Sequence, residues 1–217
     1  MDFNGNGSSQ LMTQTTDPAI TAAAESAKAQ IQAAYMMALH RPRNSEQARL
    51  RILQNCRRPE FAERVEYSKP IGGQKITGAS VRFVELALRE WGNVRTEIQV
   101  IYEDDYVRRL LVSVMDLESN TCFSKQIQMR KTVERRDAKG KEIVGQRLNS
   151  YGETVYIVRA TDDELQVKEN AAVSKIIRNE GLRILPSDIV DEARAEAQKT
   201  LHTRDAKDPE ATKKAML

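Results

Sequence analysis

At Gly92 and Asn93 the hydrophobic repeat of this chain changes from one residue in three or four to one in two, and no other feature of the sequence restricts the fold as much. Before the change, Val81, Val84, Leu88 and Trp91 form the apolar stripe of a helix that Ser80 can cap and that Gly92 and Asn93 stop. After it the residues alternate. Residues 94–102 read as a strand with Val94, Ile98 and Val100 inward and Arg95, Glu97 and Gln99 outward. Asp104 and Asp105 mark a turn, and residues 107–116, apolar on both faces at the centre, suit an interior strand. The turn at 118–121 leads into a third strand, from Phe123 to about Arg135. It is inward at Ile127, Met129 and Val133, with Gln126, Gln128, Arg130 and Thr132 on the other face. Three strands with short links predict an antiparallel β meander packed against helices, an α+β fold.

The flanks complete that expectation. Residues 1–16 are rich in Gly, Ser, Asn, Gln and Thr and cannot offset their ordering entropy, so they read as a flexible tail. Asp17 and Pro18 open an alanine-rich helix to about Leu39, closed by Pro42. Asn44 and Gln47 resemble a capping box for a second helix reaching Cys56, with Leu50, Leu53 and Ile52 toward the core and Arg49 and Arg51 opposite. Downstream, residues 137–142 read as a mobile hairpin tip, and 143–158 admit either a strand or the start of a helix. Thr161 and Glu164 make a capping box for a helix through about Asn179, with Leu165, Ala172, Val173, Ile176 and Ile177 on one side and Gly181 as its end. Pro186 and Ser187 open a last helix to about Leu201. The chain therefore divides into a tail at 1–16, one core at 17–202 and a charged tail at 203–217.

Net charge is +3, and its distribution matters more than the total. Arg41, Arg43, Arg49, Arg51, Arg57 and Arg58 face only Glu46 between His40 and Pro59, and a second basic stretch contains Lys125, Arg130, Lys131, Arg135 and Arg136. Between them, Lys69 and Lys75 flank Gly72 and Gly73 in what reads as a two-residue hairpin, directly before the helix start that carries Arg82. Helix-start amides and lysines side by side suit phosphate. A solvated face with local ion pairs is the alternative for any one cluster. With 5% aromatic residues, base stacking is a poor basis for binding. Trp91 and Phe83 read as core, while Tyr67, Tyr102, Tyr106, Tyr151 and Tyr156 fit stacking or a core or rim role. The inventory points to a phosphate-led grip on a nucleic acid that leaves the bases largely free.

Catalytic patterns are weak. There is no GxxxxGK[ST] motif, and His40 and His202 stand far apart at helix ends. Asp162, Asp163 and Lys168 offer only a faint version of a nuclease centre. Cys56 and Cys122 carry no zinc-ligand spacing and read as reduced thiols. The expectation is a protein without catalytic residues, metal or cofactor. No apolar run approaches the roughly 20 residues of a membrane span, and the first residues lack signal-peptide character, which predicts a cytoplasmic protein without a membrane partner.

Two segments carry a family resemblance. The stretch GGQKITGASVRFVELALREWGN resembles the part of phage recombination proteins in which a Gly-Pro-Ser-like helix start leads to a Trp-Gly-Asn end, with ASVR where that pattern commonly has a proline. KIIRNEGLRILPSDIVDEA at 175–193 is similar to a second shared segment, an Arg-Asn pair before a short apolar run and a proline. With the meander between them, residues 45 to 195 resemble the single-strand annealing proteins of the RecT, Redβ and Erf group. The resemblance implies ATP-independent binding of single-stranded DNA, homo-oligomeric rings or helical filaments, and annealing of complementary strands in phage recombination. It also implies a phage exonuclease or a host single-strand-binding protein as partner, and a basic DNA groove. The resemblance carries over Lys69, Lys75 and Arg82, from the hairpin and helix start, and Arg178 and Asn179, from the second segment, as groove residues, Arg178 alternatively at a subunit interface. Arg49, Arg51, Lys125, Arg130 and Lys131 join them from the two basic stretches. The rival readings are a single-strand DNA-binding replication accessory protein that does not anneal, and a phage assembly or scaffolding protein.

Overall fold

Capping side chains open four of the helices. In a computed structural model, described for residues 17–71, 74–138 and 140–207, Asp17 accepts the Ala19 N–H at 2.9 Å at the start of α1 (Pro18–His40). Asn44 accepts the Gln47 N–H at 2.9 Å to open α2 (Ser45–Cys56), which a single turn, α3 (Pro59–Ala62), follows. Ser80 accepts the Phe83 N–H at 3.1 Å to open α4 (Val81–Trp91). Thr161 and Glu164 form the reciprocal box, at 3.3 and 2.9 Å, for α5 (Asp162–Ile184), and α6 (Ser187–Lys207) ends the described chain. Each cap satisfies amides that a helix end leaves open. No helix among the described residues is long and apolar enough to cross a membrane.

Among the described residues, eight strands form three antiparallel sheets. A two-stranded ribbon pairs β1 (Glu66–Ile71) with β2 (Gln74–Ala79). The expected meander is β3 (Val94–Glu103), β4 (Val107–Asp116) and β5 (Thr121–Arg130), with β4 in the middle and its residues 110, 112, 114 and 116 buried. A third sheet, in the order β6-β8-β7, contains β6 (Thr132–Arg135), β7 (Ile143–Leu148) and β8 (Thr154–Arg159). The segment 143–158 is thus a pair of strands.

Two apolar clusters hold these elements. One joins α2, α4 and α6 around Ile52, Phe83, Val84, Trp91, Ile189 and Ala193. The other lies between the meander and α5, around Leu110, Val112, Met129, Leu165, Val173 and Ile176. Gly181 brings α4 and α5 together: a Cβ there would stand 2.6 Å from Val84 Cγ1 and 2.9 Å from Leu88 Cδ1. The helix therefore passes through Gly181 to Ile184 instead of ending at it, because the glycine serves close packing, not termination. Arg43 ties the α1–α2 link to the meander. Its guanidinium pairs with buried Asp116 at 2.9 Å, donates to the carbonyls of Trp91 and Gly92 at 3.0 Å each, and lies 4.5 Å from the centre of a Trp91 ring.

Several expectations need correction. Ile98 and Val100 share the face of β3 that pairs across to buried Val112 and Leu110, yet they are 50% and 55% exposed, because β3 is an edge strand that the helices do not cover along its whole length. On α2 the buried residues are Ala48, Ile52, Leu53 and Cys56, and Leu50 faces outward. The third strand is really two, broken at Lys131. That residue's N–H donates to Tyr106 and its carbonyl accepts from Ala160, so one backbone unit bridges two sheets. β6 and β7, which flank residues 137–142, are accordingly not the two arms of a hairpin, since β8 lies between them; Lys139 of that segment lies outside the described residues.

Candidate nucleic-acid interface

The polar side of α5 is where the basic residues gather. Lys168, Ala171, Lys175 and Arg178 recur at steps of three, four and three, the spacing that places residues on one helical face. At the C-terminal part of this face a groove of about 530 Å³ opens between α5, β1 and the start of α4. Lys69, Arg82, Lys175 and Arg178 line it together with Tyr67 and Ser80, and among the described residues no carboxylate does. Among the described residues, Lys69, Arg82 and Lys175 have no carboxylate partner. Arg178 is positioned by its neighbours: its guanidinium lies 4.7 Å from the centre of the Tyr67 ring and donates to Asn179 Oδ1 from Nε at 3.2 Å and Nη2 at 3.1 Å. Gly78 makes room for that ring, since a Cβ there would meet Tyr67 Cε1 at 3.0 Å.

A second cleft, of about 1000 Å³, continues along the same helix face and shares Ala171 and Lys175 with the first. It lies at the break between the two larger sheets. Lys168 Nζ spans that break, donating to the carbonyls of Arg130 at 3.2 Å and Thr132 at 2.8 Å. The one carboxylate in its lining, Glu134, is engaged by Arg147 through two hydrogen bonds, of 2.9 and 2.7 Å, which lower its pKa.

The fold unites Lys69, Arg82, Arg178 and, beside it, Asn179, and it sets Arg130 at the second cleft. It separates others. Lys69 pairs across the ribbon with Ile76 and Lys75 with Pro70, so the two lysines occupy alternating register positions and not the facing pair expected. The Lys75 side chain, with Gly72 and Gly73, lies outside the described residues. Arg49 is bound by Glu192, through Nε at 2.6 Å and a second bond from Nη2, and by Glu46 at 2.7 Å. These contacts raise its pKa well above the ordinary value, the Glu192 hydrogen bonds most of all. Arg51 donates to Glu90 Oε2 at 3.2 Å and to the Glu90 carbonyl at 2.8 Å. These two arginines fasten α2 to α6 and α4. Lys131 pairs with Glu103 at 2.6 Å, and hydrogen bonds from Arg108 and then Lys131 pull the Glu103 carboxyl down to about 2. Lys125 is exposed on β5 and lines neither groove. The polar face expected on one strand is divided by the break, with Gln126, Gln128 and Arg130 on β5 and Thr132 on β6.

Lys168, Ala171, Ser174 and Lys175 were not among the expected DNA-binding residues, although the 3–4–3 spacing of Lys168, Ala171, Lys175 and Arg178 on the helix side opposite Val173 and Ile176 is readable in the sequence. Asp162 and Asp163 lie exposed in the first turn of α5, and no group of three or more potential metal-binding side chains occurs among the described residues. Comparison with protein-family models, curated proteins and solved structures finds no match.

Proposed function

We propose that this protein binds single-stranded DNA without ATP and anneals complementary strands, as the resemblance to the phage annealing group implies, working as a homo-oligomer in the cytoplasm. The observation that carries the reading is the contrast between two sets of basic residues. Arg43, Arg49, Arg51 and Lys131 are engaged by carboxylates and hold the fold, whereas Lys69, Arg82 and Lys175 line a groove free of carboxylates. Cations so placed attract a polyanion, and releasing its counterions supplies the affinity. From Lys168 to Arg178 the helix rises about 15 Å, against about 3.4 Å per phosphate along one strand of a duplex, so the stripe accommodates several nucleotides. Assembly is supported by α1, whose 23 residues include one buried residue, Ala38, while Ile20, Met36, Met37 and Leu39 are exposed.

The test mixes complementary labelled oligonucleotides with the protein in EDTA and without ATP, and follows pairing. Faster pairing that weakens with added salt is expected. Protected but unpaired strands would favour the accessory-protein reading, and an absence of binding at low salt the scaffolding one.

A further inference from the structure

The larger cleft differs from the phosphate groove in what forms its floor. Ile127 and Met129 of β5, Val133 of β6, Ile157 of β8 and Ala172 of α5 converge there, all aliphatic. The cleft exists because the chain leaves one sheet for another at Lys131, which splits the side-chain layer that a continuous strand would have closed. Its rim is of another chemistry, with Lys168 and Lys175 on one side and Gln128, Arg130, Thr132 and Glu134 on the other, the Glu134 carboxylate being held by Arg147. An apolar cavity of this size with a few polar groups at its edge is the ordinary form of a small-ligand site. The cations at the mouth exclude a purely apolar occupant, and Lys175 belongs equally to the neighbouring phosphate groove.

We infer that this cleft takes a nucleobase from the bound strand, unstacked and laid against the aliphatic floor, while Lys175 and Lys168 hold the phosphates on either side. The inference rests on the proposed binding of single-stranded DNA and adds to it a place where the strand is held by a base and not only by its backbone. A base has apolar faces and polar edges, the same division as floor and rim. Among the described residues no aromatic side chain contributes to that floor, so contact is by van der Waals packing on any base and discriminates little between sequences.

The test compares a thymidine oligonucleotide with a strand of equal length made only of abasic sites, each end-labelled and titrated by fluorescence anisotropy at one salt concentration. The thymidine strand is expected to bind about tenfold more tightly. Ile157→Thr and Val133→Thr, each keeping a β-branched side chain on its strand, are expected to bring thymidine binding down toward the abasic level and leave abasic binding unchanged. Two variants on different strands keep the test open should one fail to fold. Equal affinity for both strands in the wild type would overturn the base site and leave the phosphate groove standing. Failure of both strands to bind at low salt would overturn the binding reading and the base site together.

Discussion

Gly181 and Arg43 each occupy a position that no other residue type fills without cost. At Gly181 a methyl group would enter the space of Val84 and Leu88, and α4 and α5 would have to separate. Gly181→Ala gains about 1 kcal/mol of helix propensity but overpacks the crossing by about 1–3 kcal/mol, so a net loss of stability is expected in urea titration. An unchanged or raised midpoint would mean that the crossing yields. Arg43→Ala strands buried Asp116 and is expected to cost about 3 kcal/mol by the same measurement. Burial, the largest influence on the Asp116 carboxyl, works to raise its pKa, but Arg43 and the N–H groups of Glu118 and Ser119 together outweigh it and hold it below the ordinary value. A depressed carboxylate stabilises the folded state above the unfolded value of about 3.9, and that contribution is lost as pH falls through the folded value. The stability gap between wild type and Asp116→Asn should therefore narrow as pH drops below about 4, and a gap constant with pH would place the charge effect elsewhere.

Elements separate binding from architecture more sharply than single residues do. Arg82→Ala and Lys175→Ala, on α4 and α5, are each expected to lower the slope of log affinity against log salt by about 1 and leave the melting temperature unchanged. Arg49→Ala on α2 should do the reverse, lowering the melting temperature and leaving the slope intact. If both kinds of variant act alike, the division into groove and scaffold fails. The sequence foretold the caps at Asn44, Ser80 and Thr161 because capping is a local contest between a side chain and amides three residues away. It foretold β4 as the central strand because its centre is apolar on both faces, although only residues 110, 112, 114 and 116 are buried and those between them are half-buried. The partners of Arg49 and Arg57 were not legible, since Glu192 and Glu196 lie on α6, at the far end of the described chain. Nor was the exposure of Ile98 and Val100, which follows from how far a distant helix covers an edge strand. The break at Lys131 sits inside an alternating run that reads the same whether one strand or two. Within the site, Lys69, Arg82 and Arg178 could be singled out by their neighbours in sequence, while Lys168 and Lys175 gain meaning only when α5 is seen between the β1–β2 ribbon and the break.

For the molecule as a whole, the two apolar clusters have different memberships. One is built mainly from helices near both ends of the described chain, and the other from the meander and α5, with the packed pair Gly181 and Val84 near their junction. The sheet β6-β8-β7 contributes no residue to either cluster; Ile143 and Leu148 on β7 are 54% and 64% exposed, and Tyr151 in the turn between β7 and β8 is 86% exposed. Its ties to the rest include the Lys131 and Arg159 backbone and side-chain bonds to Tyr106, Ala160 and Asp105, and the pair of Arg135 with Glu164. A chain so arranged has no reason to open all at once. In native-state hydrogen–deuterium exchange, amides of β7 and β8 are expected to exchange first through a sub-global opening, well before those of β4 and α4. Because that sheet forms one wall of the larger cleft, DNA bound there should slow exchange in β8 selectively, making the weakest part of the fold the part whose protection reports occupancy.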